Sequence, residues 1–237
     1  MHGSKVMPEH PLPNASTAAR AALLRGFNGT HAPLPVRSTQ QRTSTARMKP
    51  RRHGLKALRD IALAHCTTPQ PDLALLARAL GREIHGQSER LAQGLIDLRA
   101  NPRGFERWQL VERRSVNVLL MVWPVDYMTP VHDHGGLWGL EMTLAGALEV
   151  QSYTRHPDGR LQLRGTDWLG PGDARWFDAS DDGYVHRCRN LSRHEATLSL
   201  HLYGGPLTHY HAFEQHGTAD VWAARPRRSA IAGVLTP

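Results

Sequence analysis

Hydrophobic positions change their spacing twice along this chain. Residues 1 to about 50 show little periodicity; Pro, Ser, Thr, Ala and Arg dominate, a composition that cannot bury enough apolar surface to offset its ordering entropy. It predicts a disordered basic tail, with the folded part spanning 51–237. Between Pro71 and Asn101 the period is helical. Leu73, Leu76, Leu80 and Ile84 fall at i, i+3, i+7 and i+11, on one face, with Asp72 placed to cap the first turn. After Gly86 a second amphipathic stretch carries Leu91, Leu95, Ile96 and Leu98 and stops at Asn101-Pro102.

Beyond Arg113 the period becomes that of strands. VNVLLMVW (Val116–Trp123) is a continuous buried-type run ended by Pro124. GALEVQSY alternates, with Leu148 and Val150 on one side, and RLQLRG does the same with Leu161 and Leu163. Gly170-Pro171-Gly172-Asp173 is a turn signal, and TLSLHLYGG alternates strictly before a double glycine. Short strands with no interleaved helices predict a mainly β, antiparallel sandwich or barrel at about 105–215, preceded by short helices at about 71–101. After Phe213 the chain is polar and aperiodic, which predicts loop.

Charge narrows the function. The net charge of +8 points to nucleic acid until it is located: residues 1–60 hold 11 Lys+Arg against two acids, and the rest hold 18 against 19. The body is therefore near neutral and offers no footprint for nucleic acid. No apolar run reaches 18 residues, and the first residues lack the apolar segment of a secretory signal, so no membrane partner is expected. Two cysteines, Cys66 and Cys188, make no disulfide framework and suit a reducing, cytoplasmic compartment. The Arg-rich, acid-poor tail would also fit a transit peptide, and a start of translation at Met48 is a further alternative.

The chemistry concentrates in TPVHDHGGLWGLEMTLAG. In an extended segment His132 and His134 share a face, and two crowded imidazoles favour a metal over protons because both cannot be charged cheaply. In TLSLHLY the leucines take one face and Ser199, His201 and Tyr203 the other. An outward polar face of an edge strand is one explanation of that row. If it faces inward, each group can hold the next by hydrogen bonds, ending in a positioned phenol. Without a nucleophile elbow it is not a serine-hydrolase arrangement.

The order HxH, PG, HxxxN resembles the paired motifs of the cupin superfamily, small antiparallel barrels or jelly rolls with a metal inside. His132, His134 and His186 match its histidine ligands. The usual cupin glutamate has Gly139 at its position, with Glu141 displaced by two and expected on the opposite side of the strand. Such ligands suit Fe, Zn, Cu or Ni. PVHDH, SLHLY, the HRxxN turn and HAFEQ at His211–Gln215 together resemble the cysteine dioxygenase family of thiol dioxygenases, from about Phe105 to Gln215.

That resemblance implies that His132, His134 and His186 hold Fe(II), that Ser199, His201 and Tyr203 form the family's triad, and that Arg107 of FERWQL binds the substrate carboxylate. Trp123 and His211 also fall at family positions. A cysteine crosslinked to the triad tyrosine in some members is replaced by Gly139, and Phe105 lacks the hydroxyl of the family tyrosine. Gln109 lies near Arg107, and GGPLTHYHAF holds no arginine. The resemblance implies a small thiol acid and O2 as the partners, L-cysteine in first place. The alternatives are a dioxygenase of 3-mercaptopropionate or mercaptosuccinate, a zinc or nickel cupin isomerase, and a cupin that binds metal without turnover. Oligomeric state is not readable.

Overall fold

Every residue of TLSLHLY is buried, leucines and polar row alike. The reason is visible in a computed structural model of the chain, which describes residues 53–100, 102–181, 183–215 and 221–236. The basic tail lies outside the described residues. Among the described residues, four helices come first: α1 (His53–His65), α2 (Leu73–Gly86), α3 (Ser88–Gly94) and α4 (Ile96–Ala100). Twelve strands follow: β1 (Glu106–Glu112), β2 (Asn117–Trp123), β3 (Val131–His132), β4 (Gly139–Ala145), β5 (Leu148–Arg155), β6 (Leu161–Leu169), β7 (Ala174–Phe177), β8 (Tyr184–Asn190), β9 (Thr197–Tyr203), β10 (His209–Gln215), β11 (Trp222–Arg228) and β12 (Gly233–Val234).

The strands form two six-stranded sheets, in the orders β12-β1-β2-β9-β4-β7 and β11-β10-β3-β8-β5-β6. All pairings are antiparallel except β1 with β12. This is the predicted mainly β, antiparallel two-sheet architecture. The helices cover the outer face of the first sheet. Leu198, Leu200 and Leu202 of β9 join Val118, Leu120 and Val122 of β2 and Leu140 and Met142 of β4 in one core with Leu55, Leu58, Leu76, Leu80 and Ile84. The inner face of the same strands looks into the barrel. A strand buried on both faces needs no exposed polar side, which is why β2 reads as an uninterrupted apolar run.

The predicted face of α2 is the buried one, since Leu73, Leu76, Leu80 and Ile84 all lie in the core. Asp72 caps it, its carboxylate accepting from the Leu75 N–H at 2.9 Å. Four expectations change. Helix α1 is additional; its Leu55, Leu58 and Ala62 carry the same spacing, hidden in sequence by the basic segment it adjoins. The second amphipathic stretch breaks at Leu95, which turns Ile96 outward to 60% exposure. Leu163 is likewise 54% exposed, because β6 is an edge strand with one open side. The C-terminal stretch predicted as loop is strand: β11 pairs with β10 along its whole length and β12 with β1. Its own side chains are mostly exposed, so no hydrophobic period announces it.

Each fully buried leucine contributes roughly 1.5–3 kcal/mol of transfer free energy. Leu200 is fully buried and faces the helices, away from the barrel interior. Leu200→Ala is expected to lower unfolding stability by about 2–5 kcal/mol in urea titrations; a loss below about 1 kcal/mol would contradict the packing described.

Candidate active site

The inward row of the first sheet begins with β9. Trp123 Nε1 donates to Ser199 Oγ at 2.7 Å, Ser199 Oγ lies 2.8 Å from His201 Nε2, and His201 Nδ1 lies 3.2 Å from Tyr203 Oη. Burial, with Arg107 and His132 as further positive neighbours, lowers the His201 pKa to about 3, so the ring is neutral. The indole can only donate. The chain that satisfies each group therefore runs one way: Trp123 to Ser199, Ser199 to His201 Nε2, and His201 Nδ1–H to Tyr203 Oη. The Tyr203 hydroxyl proton is then left to donate elsewhere. Burial, with Glu141 as the next cause, holds that phenol above its usual range and keeps it protonated.

The second sheet brings the histidines. His132 of β3 pairs in register with His186 of β8, and His134 follows at the end of β3. Ring centroids stand 5.1 Å apart for His132–His134, 4.7 Å for His132–His186 and 4.6 Å for His134–His186. The side chain of Asp133, between them, points the other way: its carboxylate accepts from the His211 backbone N–H at 2.8 Å and meets His211 Nδ1 at 2.9 Å. His211 is thus half-exposed and ties β10 to the HDH segment from outside the pocket. Gly135 (φ 61°) and Gly136 (φ 79°) then turn the chain toward β4 in left-handed conformations that suit glycine.

Donor atoms of the three histidines lie within 4.8 Å of one another. His132 Nδ1 is held by the Pro130 carbonyl at 3.0 Å, and His134 Nε2 is buried with no hydrogen-bond partner. Burial lowers the His132 pKa to about 4, although part of its surface reaches solvent, and it depresses His134 and His186 further. Three neutral imidazoles, one with an orphaned buried nitrogen, fit a transition metal, because imidazole binds metal only when deprotonated.

Glu141 overturns one expectation. It lies inside the barrel, 1% exposed, since residues two apart on a strand share a face, and Gly139 and Glu141 are two apart. Its Oε2 accepts from Cys188 Sγ at 3.4 Å, while Oε1 lies 3.1 Å from His186 Nε2 outside hydrogen-bond geometry and has no partner. Burial raises its pKa to about 8. Across from it, Tyr184 Oη approaches His186 Nδ1 at 3.5 Å and Ser152 Oγ at 3.1 Å. A Cβ at Gly139 would collide with the Phe177 ring, which packs 4.3 Å from the His134 ring. That position is filled by an aromatic neighbour rather than by a crosslink. Sequence reasoning named Glu141 but put it on the wrong side of the strand, against its two-residue spacing from Gly139, and gave no role to Cys188 or Phe177.

Arg107 of β1 completes the pocket. It shares the lining with Phe105, Trp123, His132, Glu141, His186, His201, Tyr203 and Tyr210, whereas Gln109 does not line it. Its guanidinium stands 5.1 Å from the Phe105 ring centre and 5.7 Å from that of Tyr210. Among the described residues no carboxylate pairs with it, and its buried Nε has no hydrogen-bond partner. Of the site residues named from the sequence, Arg107, Trp123, His132, His186, His201 and Tyr203 line this pocket, His134 adjoins it through the histidine cluster, Ser199 stands behind Trp123 and His201, and His211 lies outside.

The shifted groups set a pH profile for the metal-free protein. The buried histidines bind fewer protons folded than unfolded between their depressed values and 6.5, so stability rises with pH up to about 6.5. Glu141 binds more protons folded than unfolded between 4.5 and about 8, so its contribution falls as pH rises through that window. The thermal midpoint of chelator-treated protein is expected to climb to about pH 6.5 and decline toward about pH 8. Glu141→Gln should abolish the decline; a wild-type midpoint still rising over that interval would refute it.

Solved structures similar to this chain include TT1209 from Thermus thermophilus, 20% identical over 44% of this chain and 87% of that one, with a TM-score of 0.36. BH2720 from Bacillus halodurans is 19% identical over 53% and 80%, with a TM-score of 0.37. A double-stranded β-helix protein from Klebsiella pneumoniae is 14% identical over 48% and 89%, with a TM-score of 0.35. Residues 102–216 match the family model of cysteine dioxygenase type I, and the histidine cluster, the Ser199–His201–Tyr203 row and Arg107 all lie inside that match.

Proposed function

We propose that the protein is a non-haem Fe(II) dioxygenase of a small thiol acid, L-cysteine first among them. His132, His134 and His186 would hold the iron. Bound iron supplies a redox-active centre at which both atoms of O2 are added to the thiol sulfur, so that a thiol RSH becomes a sulfinic acid RSO2H. The single observation that carries the reading is the meeting of three clustered neutral histidines, one with an orphaned buried nitrogen, with the Trp123–Ser199–His201–Tyr203 chain.

Each remaining residue has a role that its surroundings support. Arg107 is a buried-edge cation without a carboxylate, flanked by two rings that stabilise it, and so it suits a substrate carboxylate. Tyr203, whose oxygen accepts from His201 and whose hydroxyl proton is thereby left to donate, can hydrogen-bond to oxygen arriving at the sulfur. Trp123, Ser199 and His201 fix the phenol's direction. Met121, Leu207 and Phe105 wall the pocket with apolar surface and limit water around the reacting atoms.

The test is oxygen uptake by Fe(II)-loaded protein offered L-cysteine and 3-mercaptopropionate separately, with sulfinate quantified. Sulfinate from cysteine, abolished in His132→Ala and about 10²–10³-fold slower in Tyr203→Phe, is expected. Turnover only with 3-mercaptopropionate would move the substrate and keep the chemistry. No turnover of either despite bound iron would favour a metal-binding cupin that does not catalyse.

A further inference from the structure

The residues after the family match are part of the pocket's construction. Ser229 N–H donates to the Thr208 carbonyl at 2.9 Å, Ala232 N–H to the Arg107 carbonyl at 2.8 Å and Leu235 N–H to the Gln109 carbonyl at 2.8 Å. Gly233 and Val234 stand in parallel register with Trp108 and Gln109. The segment is anchored at its end by Leu235, 4% exposed in the same core as Leu110. It lies close enough to β1 that a Cβ on Gly233 would meet the Trp108 ring at 2.8 Å.

At the head of this segment Ser229 Oγ accepts a hydrogen bond from Arg107 Nη1 at 3.4 Å. It is the only hydrogen bond made by the guanidinium among the described residues. The contacts with the two aromatic rings are non-directional, whereas the hydrogen bond at one corner fixes the orientation of the guanidinium. With Nη1 engaged, the opposite edge, Nε with Nη2, makes no hydrogen bond among the described residues and is the side-on fork that a carboxylate would take.

We propose that the C-terminal segment Ser229–Leu235 is the positioning element for Arg107, and that Ser229 sets substrate affinity by fixing which edge of the guanidinium is presented. The inference rests on Arg107 as the carboxylate-binding group of the proposed function. It makes Ser229 a positioning residue. A side chain at 229 that fills the arginine itself should compete with substrate.

Two full-length, iron-loaded variants test it, with kcat and KM for L-cysteine and anaerobic calorimetric titration with L-cysteine as readouts. Ser229→Ala is expected to raise KM and Kd about 3–10-fold, the size of one lost charged hydrogen bond of poor length. Ser229→Asp places a carboxylate against Arg107 and is expected to raise both about 30-fold or more, as for a charge-assisted pair. In both, kcat should move far less than KM, and iron content should stay at the wild-type level. Unchanged KM in both Ser229 variants, beside a raised KM in Arg107→Ala, would overturn the inference and leave the function standing. Unchanged KM in Arg107→Ala, or no binding of L-cysteine by the wild type, would overturn the role of Arg107 and this inference with it. Parallel loss of kcat and iron in the Ser229 variants would overturn it too, marking the segment as merely structural.

Discussion

Strand β9 has to satisfy two unlike surroundings at once, and the molecule is arranged around that demand. Its leucines meet a helical layer on one side, and its serine, histidine and tyrosine meet a polar pocket on the other. Buried polar groups are tolerated only when hydrogen-bonded. The strand meets that condition internally, with the Trp123 indole supplying the one donor it lacks. Asn190 performs the related task at the end of β8. Its amide donates to the carbonyls of Trp123, Pro124 and Glu195, while its own oxygen accepts from Ser192 N–H and Thr197 Oγ1. The loop between His186 and the triad is thereby fixed to the strand that carries Trp123.

Electrostatics follow from the same enclosure. Burial disfavours charge on every imidazole in the pocket and on the Glu141 carboxyl alike. The lasting charge on the lining is then the Arg107 guanidinium at one side, without a counter-ion among the described residues. A pocket of neutral donors with a single cation is suited to a metal and an acidic small molecule together. Glu141 adds a carboxyl whose free oxygen lies against His186. It distinguishes this centre from one built of three histidines alone.

Much of this is legible in the chain. The helical period of α2, its Asp72 cap, the buried run of β2 and the two-sided β9 each follow from spacing that one face of burial enforces. The convergence of His132, His134, His186, Ser199, His201, Tyr203 and Arg107 follows from motifs that put them on inward positions. What escapes has physical causes. Helix α1 borders a basic segment that masks its period, and β11 and β12 are stabilised by backbone hydrogen bonds rather than by an apolar face. Glu141 lies inside against expectation because two residues along a strand restore the face rather than reverse it. Ser229 is 122 residues from Arg107 in sequence, and no local pattern marks such a contact.

If a thiol acid and O2 meet in this pocket, both oxygen atoms must reach sulfur. Turnover of L-cysteine by the iron-loaded protein under ¹⁸O₂, read by mass spectrometry of the product, tests that most directly. Sulfinate carrying two labelled oxygens is the predicted result. Unlabelled sulfinate, or a disulfide formed while O2 is reduced without entering the product, would contradict it.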